Sequence, residues 1–168
     1  MRWLIGKLLT RVVVAYAAVV TVANAIELGA KAPPFRLQDA QGATIALESL
    51  RGRVVYIDFW ASWCAPCRRS FPWMGEMQLR YGQRGLTVLA INVDRQREAA
   101  ERFLAAVPAP FTVAFDPQGA TPDAYAATAM PSSYLVDARG HVALVEVGFR
   151  EERKAALEER IRALLDAR

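Results

Sequence analysis

The chain has 168 residues with a formal net charge of +4, from 21 basic and 17 acidic side chains, and 54% of its residues are hydrophobic. The first 25 residues carry three of the bases and none of the acids, so residues 26–168 are nearly neutral, with 18 bases against 17 acids. Such a balance excludes the basic surface that is typical of nucleic-acid-binding proteins. Residues 26–168 are numerous enough to form one domain with a hydrophobic core, and they contain no internal repeat or linker.

The N-terminus has the pattern of a secretory signal peptide. Three basic residues and no acid occupy positions 1–11, residues 12–22 form an apolar run, and a small-x-small sequence ends at Ala25. We expect export and cleavage after Ala25. The alternative is an uncleaved membrane anchor that faces the same compartment. However, the whole uncharged run has only fifteen residues, fewer than the roughly 20 needed to span a bilayer.

The rest of the chain alternates between strand-like and helix-like patterns. Residues 35–37 and 44–47 flank a turn-forming segment and predict an opening β-hairpin. Further strands are predicted at 54–60, 86–93, 111–115, 133–136 and 141–147, and helices after residue 64, around 99–107, at 122–127 and at 151–167. This order predicts an α/β fold with a central mixed β-sheet and helices on both of its faces.

The two cysteines of the chain, Cys64 and Cys67, lie between a predicted strand and a predicted helix. A strand that ends there would deliver Cys64 to the first turn of the helix. The unpaired N–H groups and the positive dipole end of a helix stabilise a thiolate, which is the reactive form of cysteine. Pro66 suits a first helical turn, where its missing N–H is not needed. The spacing therefore favours a redox-active pair.

Three other interpretations of the cysteine pair remain open. A structural disulfide that closes four residues would contribute roughly 2 kcal/mol, against about 3 for a loop of fifteen. A zinc site would need ligands beyond the pair, and the only histidine is His141. Two buried hydrophobic cysteines would not require the neighbouring tryptophan and proline. Redox chemistry accounts for the whole pattern best.

Residues 58–67, with the sequence DFWASWCAPC, resemble the active site of thioredoxins. The longer pattern is similar to the TlpA-like branch, the extracytoplasmic thiol–disulfide oxidoreductases of bacteria. Pro72 and the sequence AMPSSYLVD at 129–137 extend this resemblance, which runs from about Leu28 to the C-terminus. It implies a thioredoxin-like fold over residues 26–168, with an N-terminal β-hairpin and a central β-α insertion supplied by residues 97–115.

Asp58 is a candidate proton carrier. It lies within an apolar strand, where burial favours the neutral carboxyl and raises its pKa. A group of this kind near a dithiol can exchange protons near neutral pH. The resemblance implies that Asp58 serves Cys67. The alternative is a strand-edge acid that reaches water.

One position departs from a subgroup of the family. Many TlpA-like proteins of cytochrome c maturation have a glutamate three residues after the second cysteine, where this chain has Ser70. This difference weakens a dedicated role in cytochrome c maturation but leaves it open.

The resemblance also implies a substrate-binding surface. It makes Met130–Pro131 a cis bond beside the cysteine loop, so that the backbone of Met130 can pair with a substrate strand. The ordinary alternative is a proline that opens a strand. We expect Trp63 and Pro66 to border the disulfide. Three further assignments follow from the sequence pattern: Trp60 belongs to the core, His141 is structural, and Arg68 and Arg69 either add positive potential near Cys64 or form a solvated helix face.

The expected function is reduction of disulfides in protein or small-molecule substrates, in which Cys64 attacks and Cys67 resolves the mixed disulfide. The sequence Ala65-Pro66 lies nearer the reductase type than the oxidising type. No organic cofactor and no metal are expected, and a membrane electron donor is implied by the family. We favour a monomer. The alternatives are a disulfide oxidase, a copper(I)-binding module and a peroxidase of the same fold.

Overall fold

The computed structural model describes residues 26–168, so the predicted signal peptide and its cleavage site lie outside the described residues. Within this range there are seven strands: β1 (Arg36–Asp39), β2 (Thr44–Ala46), β3 (Val54–Trp60), β4 (Leu86–Asn92), β5 (Thr112–Phe115), β6 (Ser132–Val136) and β7 (Val142–Val147). The α-helices of the same range are α1 (Ala65–Tyr81), α2 (Arg97–Ala106), α3 (Ala120–Ala124) and α4 (Lys154–Asp166). None of these helices is long and apolar enough to cross a membrane.

The strands of residues 26–168 form one mixed sheet in the order β2-β1-β5-β4-β3-β6-β7. The β3, β4 and β5 strands are parallel, whereas the hairpin at one edge and β6–β7 at the other are antiparallel to their neighbours. The inserted β5 joins the N-terminal hairpin to the rest of the sheet, because it pairs with both β1 and β4. The predicted α/β, thioredoxin-like architecture, including the hairpin and the insertion, is confirmed.

The central strand β3 is buried on both faces, and each face belongs to a different core cluster. Val54, Tyr56 and Trp60 pack with residues of α1, α2 and α4. Val55 and Phe59 lie on the opposite face, against Phe35 of the N-terminal segment, Leu47 of a 3₁₀ turn and Tyr125 at the end of α3. The helices therefore cover both faces, as predicted, but three of the four described α-helices share the face that carries α1.

The α3 and α4 helices differ from their predicted bounds. The α3 helix begins two residues early, because the carboxylate of Asp116 accepts the backbone N–H of Thr121 at 2.6 Å and of Gly119 at 3.1 Å. It ends at Ala124, and Ala126 has a positive φ of 51°. The predicted last helix opens with a 3₁₀ turn at Glu151–Arg153 and continues as α4.

Candidate active site

The cysteine pair lies where β3 passes into α1. Cys64 is the N-cap residue of α1, Pro66 is in its first turn, and the two cysteines are joined in a disulfide with an S–S distance of 2.05 Å. The backbone N–H of Cys67 donates to the Sγ of Cys64 at 3.2 Å. The Sγ of Cys64 thus occupies the place of an N-cap acceptor, where the helix favours negative charge.

The two cysteines and the tryptophan before them differ in exposure. Cys67 is fully buried, Cys64 is 3% exposed and Trp63 is 71% exposed. Pro66 is half-buried. A large apolar side chain therefore stands in solvent beside the less buried cysteine, an arrangement suited to contact with another molecule.

Asp58 lies on the α1 side of the sheet. Side chains alternate along a strand, so Asp58 shares the face of Tyr56 and Trp60, and these belong to the same cluster as Cys67. The carboxyl is fully buried, and its Oδ1 accepts a hydrogen bond of 2.6 Å from the hydroxyl of Ser133. Its Oδ2 has no hydrogen-bond partner among residues 26–168. Burial raises the pKa of Asp58 to about 7, although the Ser133 hydrogen bond opposes this rise. The carboxyl is therefore buried, as expected, and is not a strand-edge acid that reaches water.

Ser133 and Glu146 extend this polar site across the sheet. Ser133 pairs with Asp58 in the β3–β6 register, and Glu146 pairs with Ser133 in the β6–β7 register. The buried carboxylate of Glu146 accepts hydrogen bonds from Arg153 at 3.0 and 3.3 Å and from Arg150 at 3.4 Å. This row of three neighbouring residues, Asp58, Ser133 and Glu146, was not predicted from the sequence. A polar residue inside each of two apolar strands was the available signal, but only the register shows that they are neighbours.

A second missed residue, Asp94, anchors the loop before the disulfide. Its buried carboxylate accepts the backbone N–H of Ser62 at 2.8 Å and the Ser62 hydroxyl at 3.1 Å. It also accepts the side-chain amide of Asn92 at 2.9 Å. The available signal was an Asn-x-Asp sequence at the end of a buried strand. The carboxyl ends of parallel strands meet at the same edge of a sheet, so polar residues there lie near the loop that follows β3.

The Met130–Pro131 peptide bond is cis, as the resemblance implied. Ser132 pairs with Phe59, so Pro131 lies beside the end of β3, where the cysteine loop begins. Pro131 is buried and its carbonyl accepts the N–H of Gly148 at 2.8 Å. Met130 is half-buried and contacts both core clusters.

The remaining candidates occupy structural positions. Trp60 is fully buried between Phe71 and Phe103, each with its ring centroid 4.8 Å away, so its assignment to the core is confirmed. The guanidinium of Arg68 lies over the ring of Phe103, at 4.8 Å.

The other polar candidates are placed as follows. The Ser70 hydroxyl donates to the carbonyl of Cys67 at 3.0 Å, inside α1. His141 contacts Asp137 through its backbone N–H at 2.8 Å, at the start of β7 and away from the cysteine loop. Within residues 26–168, no group of three or more His, Cys, Asp or Glu side chains is placed to hold a metal ion.

Comparison with known proteins agrees with this site. The model of the AhpC/TSA family matches residues 28–145. The thiol-disulfide oxidoreductase ResA of Bacillus subtilis is 32% identical over 137 residues, which cover 82% of this chain and 76% of that protein. ResA of Geobacillus thermodenitrificans is 33% identical over 145 residues, covering 85% and 83%. A solved structure from Chlorobium tepidum, assigned as thiol:disulfide interchange protein DsbE, has a TM-score of 0.81 and 51% identity, and covers 83% of this chain and 99% of that chain.

The family match at residues 28–145 includes the cysteine loop, and the similarity agrees with the chemistry of a dithiol at a helix N-terminus. The chain belongs to the AhpC/TSA family and is a TlpA-like thiol–disulfide oxidoreductase of the thioredoxin superfamily.

Proposed function

We propose that this oxidoreductase works as a reductase of protein disulfides in the periplasm. One observation carries the proposed dithiol mechanism: the Sγ of Cys64 accepts the N–H of Cys67 at the start of α1, beside the exposed Trp63. This position lowers the free energy of a Cys64 thiolate relative to the thiol. Cys64 is therefore the nucleophile, and the fully buried Cys67 is the resolving residue.

The first step is attack of the Cys64 thiolate on one sulfur of a substrate disulfide. The substrate S–S bond breaks, a mixed disulfide forms, and the leaving sulfur takes a proton from solvent. Cys67 then gives its proton to Asp58 and attacks the Sγ of Cys64. The second substrate sulfur leaves and is protonated in turn. Two electrons have passed from the dithiol to the substrate, and the Cys64–Cys67 disulfide remains.

Asp58 suits the second step because its pKa of about 7 lets it exchange protons near neutral pH. Below this pKa the carboxyl is neutral and cannot accept the proton of Cys67. The rate of resolution should therefore rise with pH through about 7. The environment of Asp58, buried on the face that carries α1, supports this role.

The substrate surface consists of Trp63, Pro66, Met130 and Pro131. Trp63 offers an apolar contact beside Cys64, and Pro66 borders the disulfide in the first turn of α1. The backbone of Met130 pairs with an extended substrate segment in the manner of an added strand. Strand addition at this point would bring a substrate disulfide to the end of β3.

A reductase in an oxidising compartment has to be recharged, so the cycle requires a thiol-reducing donor in the membrane. The signal-peptide pattern supports export and cleavage after Ala25. The mature protein then acts as a periplasmic monomer. The sequence Ala65-Pro66 between the cysteines supports the reducing direction.

The test is to trap the intermediate. In Cys67→Ser the first step proceeds but the second cannot, so a mixed disulfide with a substrate protein should accumulate and should be released by dithiothreitol. The matched Cys64→Ser variant should trap nothing, although it retains one thiol. Equal trapping by both variants, or trapping by Cys64→Ser alone, would contradict the assignment of the nucleophile.

A further inference from the structure

The neighbours of Asp58 in the sheet leave its carboxyl with one hydrogen-bond donor. On β4 the residue opposite Asp58 is Ala90, and on β6 it is Ser133. Neither side chain carries a charge. The Ser133 hydroxyl donates to Oδ1 at 2.6 Å, whereas Oδ2 is buried and has no partner within the described part of the chain. The two oxygens of this carboxyl are therefore not equivalent.

This asymmetry decides which oxygen exchanges the proton. Ser133 is buried in a β-strand, and its hydroxyl hydrogen is directed at Oδ1. While Ser133 donates to Oδ1, a proton that the carboxyl gains or loses resides on Oδ2. The hydrogen bond also stabilises the ionised carboxylate, which burial disfavours.

We propose that Ser133 is a positioning residue for the resolving step: its hydroxyl fixes Oδ1 of Asp58 and keeps Oδ2 available for the proton of Cys67. The inference rests on the proposed function, since it assigns how Asp58 serves Cys67. Asp58 remains the group that exchanges the proton, and Ser133 acts through it.

Other charged and titratable groups face this carboxyl from the surrounding elements. Tyr56 shares its face of β3, and Cys67 of α1 belongs to the same cluster as Tyr56. One strand beyond Ser133 lies Glu146, whose negative charge is balanced by Arg150 and Arg153. Because Glu146 is paired in this way, Ser133 is the group that controls the ionisation of Asp58 most directly.

Loss of the Ser133 hydroxyl should raise the pH at which Asp58 loses its proton. Without its hydrogen bond, the buried carboxylate is less stable, so Asp58 in Ser133→Ala should deprotonate about one pH unit higher or more. The pH profile of mixed-disulfide resolution should shift in the same direction. At pH 7 resolution should slow by roughly fivefold or more, whereas formation of the mixed disulfide by Cys64 should not change.

Three further variants separate the effect of the hydroxyl from the effect of packing. Ser133→Thr and Ser133→Val have the same shape, and only threonine keeps the donor. We expect the pH profile of Ser133→Thr to resemble that of the unmodified protein and that of Ser133→Val to resemble that of Ser133→Ala. This pair tests the role of the hydroxyl even if Ser133→Ala does not fold. Ser132→Ala is the matched control, because Ser132 is also buried in β6 but its hydroxyl donates to the carbonyl of Ala129.

The measurement has two readouts on the full chain. The first is the carboxyl-carbon chemical shift of Asp58 against pH in the oxidised protein, where neither cysteine titrates. The second is single-turnover resolution of a mixed disulfide against pH. An unchanged Asp58 titration in both Ser133→Ala and Ser133→Val would overturn the proposal, as would an equal shift in Ser132→Ala.

The proposed function and this inference can fail separately. If neither cysteine variant traps a substrate, the proposed function fails. If trapping succeeds but Asp58→Asn resolves the mixed disulfide at the normal rate and with the normal pH profile, Asp58 is not the proton acceptor, and its role and that of Ser133 fail together. If Asp58→Asn is slow but the Ser133 variants titrate and resolve normally, only the role of Ser133 fails.

Discussion

Asp58 and Glu146 are two buried carboxyl groups in the same row of the sheet, and their pKa values are shifted in opposite directions. Burial raises the pKa of Asp58 to about 7, because its one hydrogen-bond donor is the neutral Ser133. Burial also acts to raise the pKa of Glu146, but hydrogen bonds from Arg153 and Arg150 outweigh it, and the pKa of Glu146 is lowered. The same sheet therefore holds one carboxyl that exchanges protons near neutral pH and one that remains ionised.

The raised pKa of Asp58 makes folding stability depend on pH. Between about pH 4 and pH 7 the folded state holds a proton on Asp58 that the unfolded state has lost, so stability falls as pH rises. Asp58→Asn cannot ionise and avoids this cost. Its free energy of unfolding should exceed that of the unmodified oxidised protein at pH 8, by up to about 4 kcal/mol.

Urea unfolding of the oxidised proteins at pH 4 and pH 8 checks this effect. The advantage of Asp58→Asn should be small at pH 4. The control Ser132→Ala removes no ionisable group and should show no such dependence. A constant difference between Asp58→Asn and the unmodified protein across this pH range would contradict the raised pKa.

At the scale of elements, the cysteine loop is held from β4. The carboxylate of Asp94, just beyond the end of β4, binds both the backbone and the side chain of Ser62. The loop between β3 and α1 is thus tied to the neighbouring parallel strand, so β4 contributes to the geometry of the redox site.

Removal of this anchor should loosen the loop. Asp94→Ala leaves three donor groups without their acceptor, two part-buried on Ser62 and one buried on Asn92. We expect the free energy of unfolding to fall by roughly 3 kcal/mol and hydrogen exchange at Ser62 to accelerate. The exposed Glu98 provides the control, and Glu98→Ala should change neither quantity. Unchanged exchange at Ser62 in Asp94→Ala would contradict the anchoring role.

The inserted helix α2 packs on α1 through an aromatic cluster. The ring of Phe103 lies 5.0 Å from that of Phe71 and 4.8 Å from that of Trp60. Phe103→Ala should therefore lower the free energy of unfolding by about 3–5 kcal/mol, because it opens a cavity beneath the redox helix.

The adjacent Leu104 is half-buried and gives a matched comparison. Leu104→Ala should cost clearly less in the same urea titration, since less of its side chain is removed from water. If the two variants were equally stable, the insertion would not be held by the aromatic cluster.

At the scale of the whole molecule, local patterns predicted the elements but not the contacts between them. The bounds of β3 were predicted at both ends, because its apolar run is uninterrupted from Val54 to Trp60. The start of α3 was missed, since it depends on a carboxylate cap from Asp116. Ser133 and Asp94 were missed for a related reason. Their partners lie 75 and 32 positions away in the chain and become neighbours only through strand register.

The residues expected at the site were placed together by the fold. Cys64, Cys67 and Pro66 lie at the start of α1, and Pro131 lies beside the end of β3. The N-terminal pattern supports the proposal of export, and Ala65-Pro66 between the cysteines supports that of reduction. The dithiol itself can pass electrons in either direction, which depends on its reduction potential.

The reduction potential of the Cys64–Cys67 pair tests that direction most directly. The protein would be equilibrated in glutathione buffers of graded composition, and the fraction of free thiols measured by alkylation and mass. A reductase should give a potential near or below about −250 mV, close to that of thioredoxin. A potential near about −120 mV would contradict reduction and indicate an oxidase. Absence of a reversible couple would contradict the dithiol mechanism itself and favour copper(I) binding.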